Sequence, residues 1–398
     1  MDQNNSPPLK IAIATGRYFR PGETFVSRHI TELFHGNTVV VAGRRQSRPA
    51  TERPNFIRGR EAFNFHDLVV APWGLLQNQR NYGSLRVPFG KHRHRLTQFL
   101  TRNGVQAILC EFGSQGPPMV PIGNALGIPV FCYFRGKDAT EALRRTRRVS
   151  AYRKMFSKLS GVFAVSRFLL DKLAEIGLHH SCSFEVPSGV CLDTFRPRAK
   201  EPKLAVSVGR FVEKKAPQIT VKAFLSIANK HPDARLEMIG HGPLLAHCKK
   251  LAAEAGKSHQ IVFHGHKEHR FIADRMGAAE IFIQHSVTAR NGEAEGLPSS
   301  VQEAMACGAA ILSTRHAGIP AVVNEGVSGL LADETDAEDF GRKLGRLLLD
   351  RRLRYSMSLA ARRYAEQNFD YRTLYQIVEE QMRRVVERKH PSSSPQIP

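Results

Sequence analysis

The stretch "NGEAEGLPSSVQEAMACGAAILST" (291–314) decides how this chain is read. Pro298 suits the first position of a helix, where its missing N–H is unpaired anyway. From there Leu297, Val301, Ala304 and Met305 fall on one helical face. Gly308 is placed to end the helix in a left-handed cap. The run "AAILST" (309–314) then has the apolar continuity of a buried strand. A helix leading into a buried strand is half of a parallel βαβ unit.

The opposite face of that helix is polar. Ser299, Ser300 and Glu303 are spaced to share it. The helix start therefore offers backbone N–H groups, two hydroxyls and a carboxylate on one side, beside Glu295 in the preceding Gly-rich loop. Free N–H groups and the helix dipole make such a start an anion site. A carboxylate there suits hydroxyls rather than phosphate. A ligand carrying both a phosphate and a diol meets both demands, and a nucleotide-sugar is such a ligand. Glu293 is expected to face solvent.

Working outward, strand-like and helix-like runs alternate along both halves. In the first half the strands are expected at 10–15, 38–43, 105–112, 128–134, 161–166 and 183–189, with helices such as 23–34 and 167–177 between them. In the second half they are expected at 203–209, 235–240, 260–265, 280–286 and 309–314. This alternation argues for a doubly wound parallel sheet in each half, with ligands bound beyond the carboxyl ends of the strands, where the two domains face each other across a cleft. The segment "RPRAKEP" (196–202) has the composition of a linker. The expected domains are 1–197, 198–368, a C-terminal helix at 369–388 returning to the first domain, and a disordered tail at 389–398.

Composition sets further bounds. With 398 residues and 42% hydrophobic content, two or three packed domains are affordable. No apolar run approaches the roughly 18 residues that span a bilayer. The polar start "MDQNNSPPLK" lacks the core of a signal peptide. The six cysteines (110, 132, 182, 191, 248 and 307) show no CxxC or zinc spacing and are expected reduced, in a cytoplasmic protein. The formal charge of +22 is uneven: residues 1–200 hold 30 Lys/Arg and 13 Asp/Glu, a net of +17, and the remainder holds 28 and 23, a net of +5. Basic runs at 43–48, 91–95 and 144–148 favour an anionic glycan or a phospholipid surface. They lack interleaved aromatics, which argues against nucleic acid.

Other strand-end loops add to the phosphate reading. In "SVGRFVEKKAP" (207–217), Gly209 ends a strand and Arg210 and Lys215 stand in the loop that follows, two cations suited to a diphosphate. "IGHGP" (239–243) supplies Gly240 and Gly242, which allow close backbone approach. "HGHKEH" (264–269) holds three histidines and is read as an exposed loop rather than a metal site.

The series "VGRFVEKKA", "MIGHGPL", "HSVTARNGEAEGLPSSVQEAMACG" and "STRHAGIP" resembles the donor-binding domain of the retaining glycosyltransferases of family 4, which have the GT-B fold. "GETFVSRHITEL", "EFGSQG", "FRGKDAT", "FAVSRFLLDKL" and "SGVCLDTFRP" are similar to the weaker acceptor-side pattern, so the resemblance covers most of residues 9–385. It implies that Arg210 and Lys215 hold the donor diphosphate, Glu303 the ribose hydroxyls and Glu295 the transferred sugar. Gly296, Leu297, Pro298 and the N–H groups near Ser299 would line the donor. It further implies a metal-independent reaction without a cofactor, with retention of configuration, from a UDP- or GDP-sugar to a lipid-linked or polysaccharide-precursor acceptor. Arg135 stands where the family often has a histidine, Glu111 and Cys191 depart from the pattern, and Ala321 replaces a frequent glutamate. Arg135 and Asp138 are candidate catalytic groups on the acceptor side. The alternatives open at this point are a sugar phosphorylase or nucleotide-sugar epimerase of the same fold, and a non-catalytic nucleotide-sugar-binding module. The expected location is cytoplasmic, peripheral on the inner face of the membrane.

Overall fold

The computed structural model describes residues 8–19, 22–45, 52–58 and 65–389, without the side chains of 65–70. The expected tail lies outside these from residue 390 on, as does the basic run 43–48 from residue 46 on. The chain forms two compact units, Met1–Val186 with Tyr375–Pro398, and Pro187–Leu374. The division falls at 186/187 rather than at 197/198.

Unit 1 carries seven strands: β1 (Ile11–Tyr18), β2 (Thr38–Arg45), β3 (Asn55–Ile57), β4 (Ala107–Glu111), β5 (Val130–Phe134), β6 (Gly161–Ala164) and β7 (Ser183–Glu185). Its helices are α1 (Thr24–Glu32), α2 (Phe65–Tyr82), α3 (Gly90–Arg102), α4 (Gly116–Ala125), α5 (Thr146–Phe156) and α6 (Arg167–Ala174). The strands run parallel in the order β3-β2-β1-β4-β5-β6-β7. Ile11 to Ala14 and Val39 to Ala42 are buried without alternation, because a parallel sheet covered by helices buries both faces.

Unit 2 repeats the plan with β8 (Glu201–Val208), β9 (Arg235–Ile239), β10 (Ile261–Gly265), β11 (Ala279–Ile283), β12 (Ala310–Thr314) and β13 (Gly329–Ala332), in the order β10-β9-β8-β11-β12-β13. Its helices are α7 (Pro217–Ala228), α8 (Leu245–Glu254), α9 (His269–Ala278), α10 (Ser299–Ala306), α11 (Ala337–Leu349), α12 (Arg351–Asn368) and the start of α13 (Tyr371–Lys389), whose residues from Tyr375 on belong to unit 1. Phe224, Leu236, Ile281, Leu312, Phe340 and Leu344 form its core, each such side chain contributing about 1.5–3 kcal/mol by burial.

Several expectations are corrected. β3 and β13 were not expected; they are edge strands of three and four residues, too short to show a pattern. β8 begins at Glu201, inside the stretch read as a linker, because Lys200 is fastened by its ammonium to the carbonyls of Ala279 and Cys307 (2.8 and 2.9 Å). β7 ends at Glu185, before Pro187, which has no N–H for a ladder. Pro298 is the N-cap rather than the first helical residue: its ψ of 126° is extended, and its carbonyl accepts from Val301 at 3.1 Å. Gly308 does close α10 with φ 60°, its N–H bonding the Met305 carbonyl at 3.0 Å.

Candidate active site

In each sheet the strand order reverses beside the first strand, between β8 and β11 in unit 2. A ligand crevice of an open α/β sheet opens at such a switch point. Gly209 leaves β8 there, with its N–H on the Ile239 carbonyl at 3.0 Å. The loop after β9 presses against it. A Cβ on Gly240 would lie 1.9 Å from the Gly209 carbonyl oxygen, and one on Gly242 would lie 2.5 Å from that of Phe211. Only glycine lets these two strand-end loops touch. Gly209, Arg210, Lys215 and Gln284 line a small hollow at this point.

Lys215 reaches across from a 3-10 turn (Glu213–Lys215). Its ammonium lies 3.2 Å from Glu295 Oε1 and 3.1 Å from Gln284 Oε1. Burial depresses its pKa, and the Glu295 charge works against that. Burial alone would raise the Glu295 carboxyl; the charges of Lys215 and Lys214 overcome this and hold it at about 2. Lys214 contacts Glu293 at 3.0 Å and Glu295 at 3.6 Å. Glu293 is therefore a member of the cluster and not a solvent-facing residue. Arg210 is the outermost cation: its side chain is 62% exposed and its nearest carboxylate, Glu293, is 3.9 Å away.

Beside this cluster α10 presents its N-terminus. Ser299 is half-buried, but Ser300 turns inward and donates to Gln284 Oε1 at 2.7 Å. The polar face expected for Ser299, Ser300 and Glu303 is thus reduced by Ser300, which a buried glutamine claims. Leu297 and Pro298 are buried, and Gly296 accepts the Gly318 N–H at 2.9 Å. Glu303 sits one turn on, 3.5 Å from His269 Nε2, whose ring meets Phe195 edge-on at 4.8 Å. His264 bonds Glu237 at 2.9 Å. The run 264–269 leaves β10, passes through an exposed loop at 266–268 and enters α9 at His269. Among the described residues no group of three His, Cys, Asp or Glu side chains gathers as a metal site.

Residues that sequence reasoning missed complete the site. His316 is buried; its Nε2 accepts the Glu295 N–H at 3.1 Å, and its Nδ1 faces Glu334 at 2.5 Å. An acceptor at Nε2 requires the proton on Nδ1, directed at the carboxylate. Glu334 also accepts the Thr288 N–H at 2.8 Å, so one carboxylate and one imidazole fasten the loop that carries Glu295. Lys214 could have been found beside Lys215 in "EKK"; nothing local marks Gln284, His316 or Glu334.

Arg135 and Asp138 lie in unit 1. The Arg135 guanidinium is packed between Phe25 and Tyr133, 4.1 and 3.9 Å from their ring centroids, and binds Glu111 Oε2 through Nε and Nη2 at 2.9 and 2.8 Å. The other Glu111 oxygen meets His29 Nδ1. Burial would raise the Glu111 carboxyl, but Arg135 and His29 bring it to about 2; His29 is pushed down by its own burial. Asp138 accepts the N–H groups of Gly113, Arg135 and Gly136 at 2.8, 3.0 and 3.0 Å, while burial raises its pKa. Both side chains make these contacts within unit 1.

With the geometry in hand, comparison with known proteins gives the class. Residues 193–364 match the family described as Glycosyl transferases group 1. The chain is 29% identical over 254 residues to the amylovoran biosynthesis glycosyltransferase AmsK of Erwinia amylovora, covering 62% of this chain. It is 27% identical over 237 residues to a GDP-mannose-dependent alpha-(1-6)-phosphatidylinositol monomannoside mannosyltransferase of Mycolicibacterium smegmatis, covering 56% of this chain. Each alignment spans 62% of the relative's own length. In structure, the chain is similar to Anabaena Alr3699/HepE, solved in complex with UDP and glucose. The TM-score is 0.75 over 94% of this chain and 100% of that one, at 14% identity. The fold is GT-B, two Rossmann-like parallel-sheet domains.

Proposed function

We propose that the chain is a retaining, metal-independent glycosyltransferase that moves a sugar from a nucleotide-sugar to a lipid-linked or polysaccharide-precursor acceptor at the cytoplasmic face of a membrane. The observation that carries this reading is the Lys215–Glu295 pair beside the α10 N-terminus, in the segment that matches the family. A diphosphate entering the hollow meets Arg210, Lys215 and the open end of α10. Gly209, Gly240 and Gly242 let the backbone approach it, and Gly296, Leu297, Pro298 and Ser299 line its path. Glu303 takes the ribose hydroxyls and Glu295 the hydroxyls of the transferred sugar. As the glycosidic bond to the diphosphate breaks, negative charge grows on the leaving oxygen. Buried Lys215, exposed Arg210 and a helix dipole at one site stabilise that charge more than water does. UDP- and GDP-sugars are the leading donors, since the similar structure holds UDP and one relative is named for GDP-mannose.

A thermal-shift series with UDP-, GDP-, ADP- and TDP-sugars, repeated on Glu303→Ala, tests the donor site. Ligand binding to the folded state alone raises the midpoint by mass action. The expected result is a shift with one nucleotide series that the variant loses. The product of turnover with that donor is then read by NMR. Release of nucleoside diphosphate with the donor's anomeric configuration kept in the product supports the assignment. Consumption of free phosphate, an altered free nucleotide-sugar, or binding without release would replace it with a phosphorylase, an epimerase or a binding module.

A further inference from the structure

The one tryptophan of the chain lies on a surface that the donor site does not use. Trp73 stands on α2 with 66% of its surface exposed, and Leu76, one turn on along the same face, is 68% exposed. Arg80, exposed, continues that face. Leu85 beyond the helix is 54% exposed, followed by exposed Arg86. Large apolar groups at two successive positions of one face call for something to cover them.

The charge of α2 from Leu68 on, and of the α5 helix it packs against, is of one sign. From residue 68 to 110 the sequence has six Lys/Arg and no Asp or Glu, and from 142 to 170 it has eight and again none. The fold brings the two acid-free stretches together: α2 packs on α5, the Lys154 ammonium donates to the Arg80 carbonyl, and the Lys158 ammonium lies 5.5 Å from the Tyr82 ring. Arg144, Arg147 and Arg153 on the α5 side are exposed.

We propose that the Trp73–Leu76 face of α2, with Arg80 and the cations of α5 beside it, is the docking surface of this protein for an anionic lipid bilayer. A tryptophan ring is at home at the headgroup level, with its apolar body toward the acyl chains and its N–H toward water. Lys and Arg around it meet the lipid phosphates, and the pull of anionic lipid adds to the burial of apolar surface. A nucleic-acid base or a sugar ring can stack on Trp73, but neither offers an apolar layer that covers Leu76 as well. Among the described residues no helix is long and apolar enough to cross a membrane, so contact from one side is the mode this surface offers. The proposal deepens the reading above by naming the surface from which a lipid-linked acceptor is drawn, and it rests on that reading for the purpose of docking.

Because Trp73 is the only tryptophan, its fluorescence reports the contact directly. The full chain is titrated with vesicles of phosphatidylcholine, alone or mixed with phosphatidylglycerol, and with vesicles whose acyl chains are brominated. The expected result is a blue shift and bromine quenching with the anionic vesicles, absent with phosphatidylcholine alone. Leu76→Glu is expected to weaken apparent affinity by about tenfold or more, since it puts a charge of the wrong sign at the apolar contact. Sedimentation with anionic vesicles without a change in Trp73 emission overturns the proposal, as does the same blue shift with short duplex DNA or an acidic polysaccharide, or no response at all. The donor-induced thermal shift is measured on the same samples. If it persists while vesicles have no effect, only docking fails; if vesicles act and no donor does, only the transferase reading fails. A Leu76→Glu protein that keeps the donor shift is folded, so its lost vesicle binding is assigned to this face.

Discussion

Both units bury an ionic cluster at the carboxyl ends of their strands, and they finish it differently. In unit 1, Arg135, Glu111 and His29 are walled in by Phe25, Tyr133 and Tyr375, and the carboxylate's two oxygens are each matched to a cation or imidazole. In unit 2, Lys214, Lys215, Glu293 and Glu295 meet at the edge of a hollow, with Arg210 exposed beyond them. The first cluster has its charges committed to one another, which fixes a loop. The second has an excess of cation beside a helix N-terminus, which leaves it able to take an anion. Similar groups at similar places in two similar sheets thus end in different states of pairing and exposure, and the difference lies in what surrounds them.

The comparison breaks first at Arg135. Arg135→Met leaves Glu111 buried beside a group without charge, and removal of one partner of a buried pair costs about 3–5 kcal/mol. Urea unfolding should show that loss, while donor-induced stabilisation of the remaining folded protein is retained. A stable Arg135→Met protein with lost turnover would instead make Arg135 catalytic. Lys215→Met also strips buried Glu295 of a partner, but its distinguishing loss is in turnover. It removes the charge that faces the leaving group, with kcat lowered about 10²–10³-fold as for removal of a preorganised donor at a developing charge. Steady-state kinetics with the donor identified above checks it.

Acid separates the clusters less sharply. Glu111 and Glu295 are both held at about 2 in the folded protein, below the ~4.3 of an unfolded glutamate. The stabilisation from each is complete above about pH 5 and is lost as pH falls toward about 2. Unfolding free energy followed from pH 7 to pH 2 should decline in that window, and Glu295→Gln should flatten the curve; an unchanged curve would show that Glu295 is not held by the lysines. The smallest effect is expected at His316. His316→Ala removes the acceptor of the Glu295 N–H, a hydrogen bond with a net worth of about 1 kcal/mol, and frees the loop that positions Glu295. kcat/KM should fall several-fold, with partial recovery in His316→Gln, whose carbonyl oxygen can accept the same N–H. Equal losses in both variants would assign His316 to packing alone.

Most of the architecture was legible because it repeats. The buried runs at Ile11–Ala14, Val39–Ala42 and Ile281–Ile283 have the apolar continuity of strands covered on both faces, and the edges β3 and β13 escaped because three or four residues carry no period. Residues 291–314 exposed half of the candidate site, since a helix start, a cap glycine and two carboxylates are local features. Glu293 was misread because solvent exposure depends on Lys214, far away in sequence.

By itself, then, the sequence determined the two parallel sheets, the helix at Ser299 and the residue types gathered at strand ends, all of which follow from short-range sterics and periodic burial. Only the tertiary structure decided which charges are matched. It set Glu111 on Arg135, Glu295 on Lys215 and Glu334 on His316, and it turned Ser300 toward Gln284. Pairings of this kind depend on the distance between atoms brought together from remote parts of the chain, and on how completely the surrounding side chains exclude water, neither of which is encoded in any one stretch.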